Sequence, residues 1–156
     1  MQPARPPGTT AHGALLTEGA PAGNPCPAAG PGALDGMGQD KLRAIMVIDD
    51  DAPLARMLSL TLRYDGYAVQ AACNGHEALD QMSAGPPDLI VLDLEMPVMD
   101  GRTFFRELRA RGWMMPVLVV SAYEARKGQR ELGAEAYLNK PFNPEELLRQ
   151  IRRLLP

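Results

Sequence analysis

The chain has two cysteines in 156 residues, Cys26 and Cys73. That is too few for a disulfide framework, and a reducing, cytoplasmic compartment is the simplest reading. No apolar run approaches the roughly 18 residues that a membrane-crossing helix needs. Arg5 near the amino terminus has no apolar segment behind it, so no secretory signal is expected. Charge of one sign is also missing. Sixteen basic side chains face nineteen acidic ones, for a net charge of −3. That balance offers no bulk attraction to nucleic acid or to an anionic membrane, and direct DNA binding is not expected. Aromatic residues make up only 5% of the chain, and none lies in the first 40 residues.

Those first 40 residues hold 7 of the 15 prolines, 8 of the 15 glycines and eight alanines. Such a segment buries too little apolar surface to offset its ordering entropy, and 1–40 reads as a disordered extension. Two other readings apply to it: a short docking motif around Leu15-Leu16, or a mis-assigned start with Met37 as the true first residue. Residues 41–156 differ in kind. They carry all eight aromatic residues and are long enough to bury a core.

Within 41–156, apolar runs alternate with helical periodicity. Residues 44–48 are apolar and stop at three aspartates, as a buried parallel strand would. Leu54, Met57, Leu58, Thr61 and Leu62 then mark one helix face, with Pro53 in its first turn and Asp65-Gly66 at its close. Residues 67–72 read as a second strand. Asn74 and Glu77 predict a capped helix ending near Ser83. Residues 89–92 form a third strand ending on Asp93, followed by a helix from Gly101 to Arg111. A fourth strand, 117–120, ends on Ser121. A short helix over 124–132 and a strand at 136–138 follow. Asn143 then caps a last helix whose apolar face is Leu147, Leu148, Ile151, Leu154 and Leu155. Five βα units imply an α/β fold with a doubly wound, five-stranded parallel sheet covered on both faces.

In such folds ligands bind beyond the carboxyl ends of the strands. Asp49, Asp50 and Asp51 lie there, with Asp93, Ser121 and, after the fifth strand, Lys140. Any one of these alone reads as a turn or a cap. Their joint placement at the ends of different strands points to a site. Clustered carboxylates repel one another and favour a cation, and hard oxygen donors suit Mg²⁺. A carboxylate nucleophile between Mg²⁺ and a lysine is arranged to accept a phosphoryl group as an acyl phosphate.

These residues resemble the receiver domain of two-component response regulators. The matching pieces are Met46-Val47-Ile48-Asp49-Asp50, the stretch from Leu92 to Gly101, Val119-Val120-Ser121-Ala122, and Tyr137-Leu138-Asn139-Lys140-Pro141-Phe142. The resemblance implies a flavodoxin-like (βα)5 domain over 41–156. It implies Asp93 as phosphoacceptor, Ser121 as switch hydroxyl, Tyr137 as switch aromatic and Lys140 as phosphoryl-binding cation. Asp49, Asp50, Asp93 and the backbone carbonyl of Glu95 would hold Mg²⁺. Lys140-Pro141 would be a cis bond, and Asp51 would cap a helix. Positions Glu95 and Tyr123 would tune the phosphoryl lifetime, with the Glu95 side chain otherwise a bystander.

One spacing departs from the family pattern. Eighteen residues separate Ser121 from Lys140, close to one helical turn fewer than is usual. The shortening falls in the fourth helix or the loop before it, next to the family's output face. The chain ends after the last helix, which suggests a stand-alone receiver: a phosphoprotein, not an enzyme acting on a separate substrate. Its partners would be a sensor histidine kinase or histidine-phosphotransfer protein and an unknown output protein. Alternatives are a phosphorelay shuttle and a non-phosphorylated receiver used as a binding module. An aspartate-based phosphohydrolase is disfavoured. Such an enzyme carries an acid pair spaced as Asp-x-Asp, where this chain has Asp93-Leu94-Glu95. The arginines of the third helix, Arg102, Arg106, Arg109 and Arg111, read as a solvated face.

Overall fold

Residues 44–48 form the first strand because five apolar side chains in succession can be buried only between two layers. The structure, a computed structural model, describes residues 41–156. The readings made on residues 1–40 and on Cys26 lie outside the described residues. The elements run β1(Ala44–Ile48), α1(Ala52–Tyr64), β2(Ala68–Ala72), α2(Gly75–Ala84), β3(Leu89–Asp93), α3(Gly101–Ala110), β4(Val117–Ser121), α4(Ala125–Leu132), β5(Ala136–Asn139) and α5(Pro144–Leu154). All strand pairings are parallel, in the order β2-β1-β3-β4-β5. This is the doubly wound α/β order with its switch point between β1 and β3.

The sheet divides the core in two. On one face Ile45, Val47, Leu89, Val91, Leu118 and Val120 pack with Leu58 and Leu62 of α1 and Leu147 and Ile151 of α5. On the other, Met46, Ile48, Ile90, Leu92, Val117 and Val119 pack with Leu79 and Met82 of α2 and Phe104, Phe105 and Leu108 of α3. Each fully buried Leu, Ile or Val contributes about 1.5–3 kcal/mol relative to exposure.

Caps set the helix starts. The Asp51 side chain accepts from Leu54 N, Asn74 from Glu77 N, and Asn143 from Glu145 N. Glu77 in turn accepts from the backbone N–H of Cys73, one residue before the N-cap, a variant of the capping box. The third helix starts at Gly101 as expected, and Asp100 caps it by accepting from Thr103 N, a cap the sequence pattern did not flag.

Met57 is 43% exposed, so the buried stripe of α1 runs through Ala55, Leu58, Ser59 and Leu62 instead. Arg109 is not a solvated side chain. Its guanidinium lies over the Phe105 ring and donates to the carbonyls of Trp113 and Met115. Arg102 pairs with Glu131 of α4. Cys73 is not a free thiol. Between Ser121 and Lys140, α4 has 8 residues and begins from Glu124 in the left-handed region at φ 53°.

Candidate functional site

Strand register builds the site. Ile48 pairs with Leu92, so Asp49 and Asp93 emerge side by side at the carboxyl edge of β1 and β3. Asp93 pairs with Val120, which brings Ser121 to the same edge. Ser121 pairs with Asn139, and Lys140 N donates to the Ser121 carbonyl at 2.8 Å. The Lys140-Pro141 bond is cis, as the resemblance implied.

Lys140 Nζ lies 2.7 Å from Asp49 Oδ2 and 3.4 Å from Asp93 Oδ2. Asp49 and Asp93 are 2% and 3% exposed. Single carboxylate oxygens of Asp49, Asp50 and Asp93 all lie within 4.8 Å of one another. Burial, then the neighbouring Asp49 charge, pushes the Asp93 carboxyl up to about 6, although Lys140 opposes the shift. Burial also raises Asp49, partly offset by its hydrogen bond to Lys140. For Lys140, burial disfavours the ammonium, but the bond to Asp49 and the charges of Asp49 and Asp93 outweigh it and hold its pKa above the ordinary value.

The site is therefore over-supplied with negative charge. One lysine faces three carboxylates, and Asp93, chiefly because it is buried and then because of the Asp49 charge, retains its proton to a higher pH. The donors are all hard oxygens, which fits Mg²⁺ and not a soft metal. Asp49 is also tied down from behind, because its Oδ1 accepts from Asp51 N at 2.9 Å.

The β3–α3 loop is held by a close approach of backbone. A Cβ on Gly101 would stand 2.2 Å from the Asp93 carbonyl oxygen and 2.8 Å from Leu94 Cα. Gly101 N donates to the Leu94 carbonyl at 3.1 Å. Only glycine lets the start of α3 close over the backbone of Asp93 and Leu94.

Ser121 Oγ lies 2.7 and 3.0 Å from the two carboxylate oxygens of Glu95 and 2.5 Å from the Tyr123 carbonyl. It also accepts from Tyr123 N at 3.1 Å. The Glu95 side chain is thus not the bystander expected. Nothing in the sequence signals the contact, because it joins residues 26 positions apart on different loops. Tyr137 lies apart from the acidic cluster. It sits on β5 opposite Val119, half-buried against the α3-side core. Beside Lys140 an apolar groove of about 410 Å³ opens between Leu54, Met57, Ala122, Pro141 and Phe142.

Residues 45–152 match the model of the response regulator receiver domain. The chain belongs to that family. Among curated proteins it is 42% identical over 114 residues to response regulator MprA of Mycolicibacterium vanbaalenii, and equally so to that of Mycobacterium tuberculosis. The match takes in 71% of this chain and 49% of the first relative, so the chain spans about half the length of the curated relatives it matches. Among solved structures, a putative response regulator from Chloroflexus aurantiacus superposes with a TM-score of 0.69 at 35% identity, over 74% of this chain and 98% of that one. TrrA from Thermotoga maritima, solved in complex with Mg²⁺ and a beryllium fluoride, gives 0.66 at 32% identity, over 72% and 99%. Among the described residues no helix is long and apolar enough to cross a membrane.

Proposed function

We propose that this domain, residues 41–156, takes a phosphoryl group onto Asp93 from a histidine kinase or histidine-phosphotransfer protein in a cytoplasmic two-component pathway. Its signal is then a protein contact that changes with phosphorylation. The observation that carries the reading is the buried Asp49–Lys140–Asp93 cluster at the switch point of the sheet.

Asp49, Asp50 and Asp93 side chains with the Glu95 backbone carbonyl would hold Mg²⁺, which when bound neutralises charge on the transferring phosphoryl oxygens. The remaining work belongs to the chain. An Asp93 carboxylate oxygen attacks phosphorus, the donor's N–P bond breaks, and the donor imidazole leaves after taking up a proton. Lys140, already between Asp49 and Asp93, shifts its ammonium toward the new phosphoryl oxygens. Ser121 turns its hydroxyl to the same group, and Tyr137 follows by filling the space on β5. This biases a two-state equilibrium that a partner reads. Return to the starting state needs water to attack phosphorus and break the Asp93 O–P bond, releasing inorganic phosphate. The domain therefore acts as a phosphoacceptor, not as an enzyme on a separate substrate.

The test is a phosphate-affinity gel of wild type and Asp93→Asn with acetyl phosphate, with and without Mg²⁺. A Mg²⁺-dependent shift absent from Asp93→Asn is expected. A shift that survives the substitution overturns the assignment of Asp93.

A further inference from the structure

We infer that the Glu95 carboxylate is a latch that holds Ser121 in the resting arrangement and must release it before a phosphoryl group on Asp93 can be bound fully; this rests on the function proposed above. A serine hydroxyl has one proton to donate. In the resting chain two acceptors stand within its reach, the Glu95 carboxylate at 2.7 and 3.0 Å and the Tyr123 carbonyl at 2.5 Å. The Tyr123 carbonyl is only two residues along and accompanies Ser121 wherever the β4–α4 loop goes. Glu95 differs, because it sits on the loop after β3 and joins that loop to the end of β4. Its bond to Ser121 is charge-assisted, the stronger kind, and is partly buried.

The anchor of Glu95 is linked to the nucleophile. Its backbone N–H faces Asp93 Oδ1 at 3.4 Å, so Glu95 stands directly over the acceptor it regulates. A phosphoryl group on Asp93 presents a competing and more highly charged acceptor to the same hydroxyl. It also repels the Glu95 carboxylate. Both effects open the latch. Until it opens, the Ser121 hydroxyl is unavailable and the fraction of binding-competent protein is reduced, which weakens apparent affinity for any phosphoryl ligand by that fraction. Glu95 is thus a positioning residue for the switch, acting through Ser121 and not on the phosphoryl group.

The experiment is a titration with beryllofluoride, an unreactive phosphoryl mimic, at saturating Mg²⁺. It is run on wild type, Glu95→Ala, Glu95→Gln, Ser121→Ala and the Glu95→Ala/Ser121→Ala double variant. Losing the latch should tighten beryllofluoride binding by roughly three- to tenfold in Glu95→Ala. Glu95→Gln keeps an acceptor but not the charge, and should fall between wild type and Glu95→Ala. In the Ser121→Ala background the effect of Glu95→Ala should shrink toward none. An unchanged affinity in Glu95→Ala overturns the latch. So does tightening that is undiminished without Ser121, which would be charge repulsion alone. Wild type that binds no beryllofluoride overturns the phosphoacceptor reading, and the latch with it.

Discussion

Lys140 Nζ stands 2.7 Å from Asp49 Oδ2, and both groups are largely withdrawn from water. Among the described residues it is the ammonium of the carboxylate cluster, reaching Asp93 as well at 3.4 Å. Removing one partner of a buried ion pair leaves the other uncompensated. Lys140→Ala should therefore lose about 3–5 kcal/mol of stability at pH 7.5 without Mg²⁺. The loss should be smaller at pH 5, where protonation relieves the carboxylates that the lysine had compensated. Urea unfolding at the two pH values checks this; an equal loss at both contradicts it.

Asp93 itself should destabilise the resting fold. Its carboxyl is raised to about 6 from an ordinary 3.8, chiefly by burial. Between those values the folded state binds more protons than the unfolded state, so this group's contribution to stability falls as pH rises from about 4 to 6. Above that window the full penalty is present. Asp93→Asn should be more stable than wild type by about 1–3 kcal/mol at pH 7.5 in a chelator, and the difference should vanish near pH 4. Paired melting curves across that range are the check. A wild type that gains stability relative to Asp93→Asn as pH rises through 6 would reverse the sign.

Glycine substitutions separate close approach from simple flexibility. A Cβ on Gly101 meets the backbone of Asp93 and Leu94, whereas a Cβ on Gly85 meets nothing within 4 Å. Gly101→Ala should cost about 1–3 kcal/mol and, on the function proposed above, disturb phosphoryl uptake, since the strain falls on the Asp93 carbonyl. Gly85→Ala should be neutral or slightly stabilising, as its φ of −175° suits any residue. Equal effects at the two positions would remove the packing argument.

The single tryptophan should be a poor reporter. Trp113 precedes β4, while Asp93 and Ser121 lie at the other end of the strands. Five strand residues separate the two ends by roughly 16 Å. Trp113 emission should hardly change on adding Mg²⁺ or beryllofluoride. Strong quenching would contradict this placement.

Much of the fold was legible because its signals are local. Apolar runs that end on Asp49, Asp93 and Ser121 gave the strands and the edge where chemistry gathers. Asp51, Asn74 and Asn143 announced helix starts through their own side chains. Contacts between distant segments were not legible. Met57 has the right spacing for the α1 core stripe, yet its face turns outward because α5 covers Leu58 and Leu62 instead. Arg109 reads as solvated until the carbonyls of Trp113 and Met115 fold back onto it. The bond of Glu95 to Ser121 needs two loops in register, and no periodicity encodes that. Gly101 could have been suspected from its position eight residues after Asp93, but the lack of room for a Cβ there depends on the path of the whole loop.

Reductive trapping fixes the phosphorylated residue in place. Protein incubated with acetyl phosphate and Mg²⁺ is reduced with borohydride, which converts an acyl phosphate to the alcohol, and the digested peptides are mapped by mass. Homoserine is expected at position 93 and at no other acidic position, dependent on Mg²⁺. Reduction at Asp49, Asp50 or Glu95 in place of Asp93, or no reduced residue in a folded protein treated with its phosphorylated donor kinase, would contradict it.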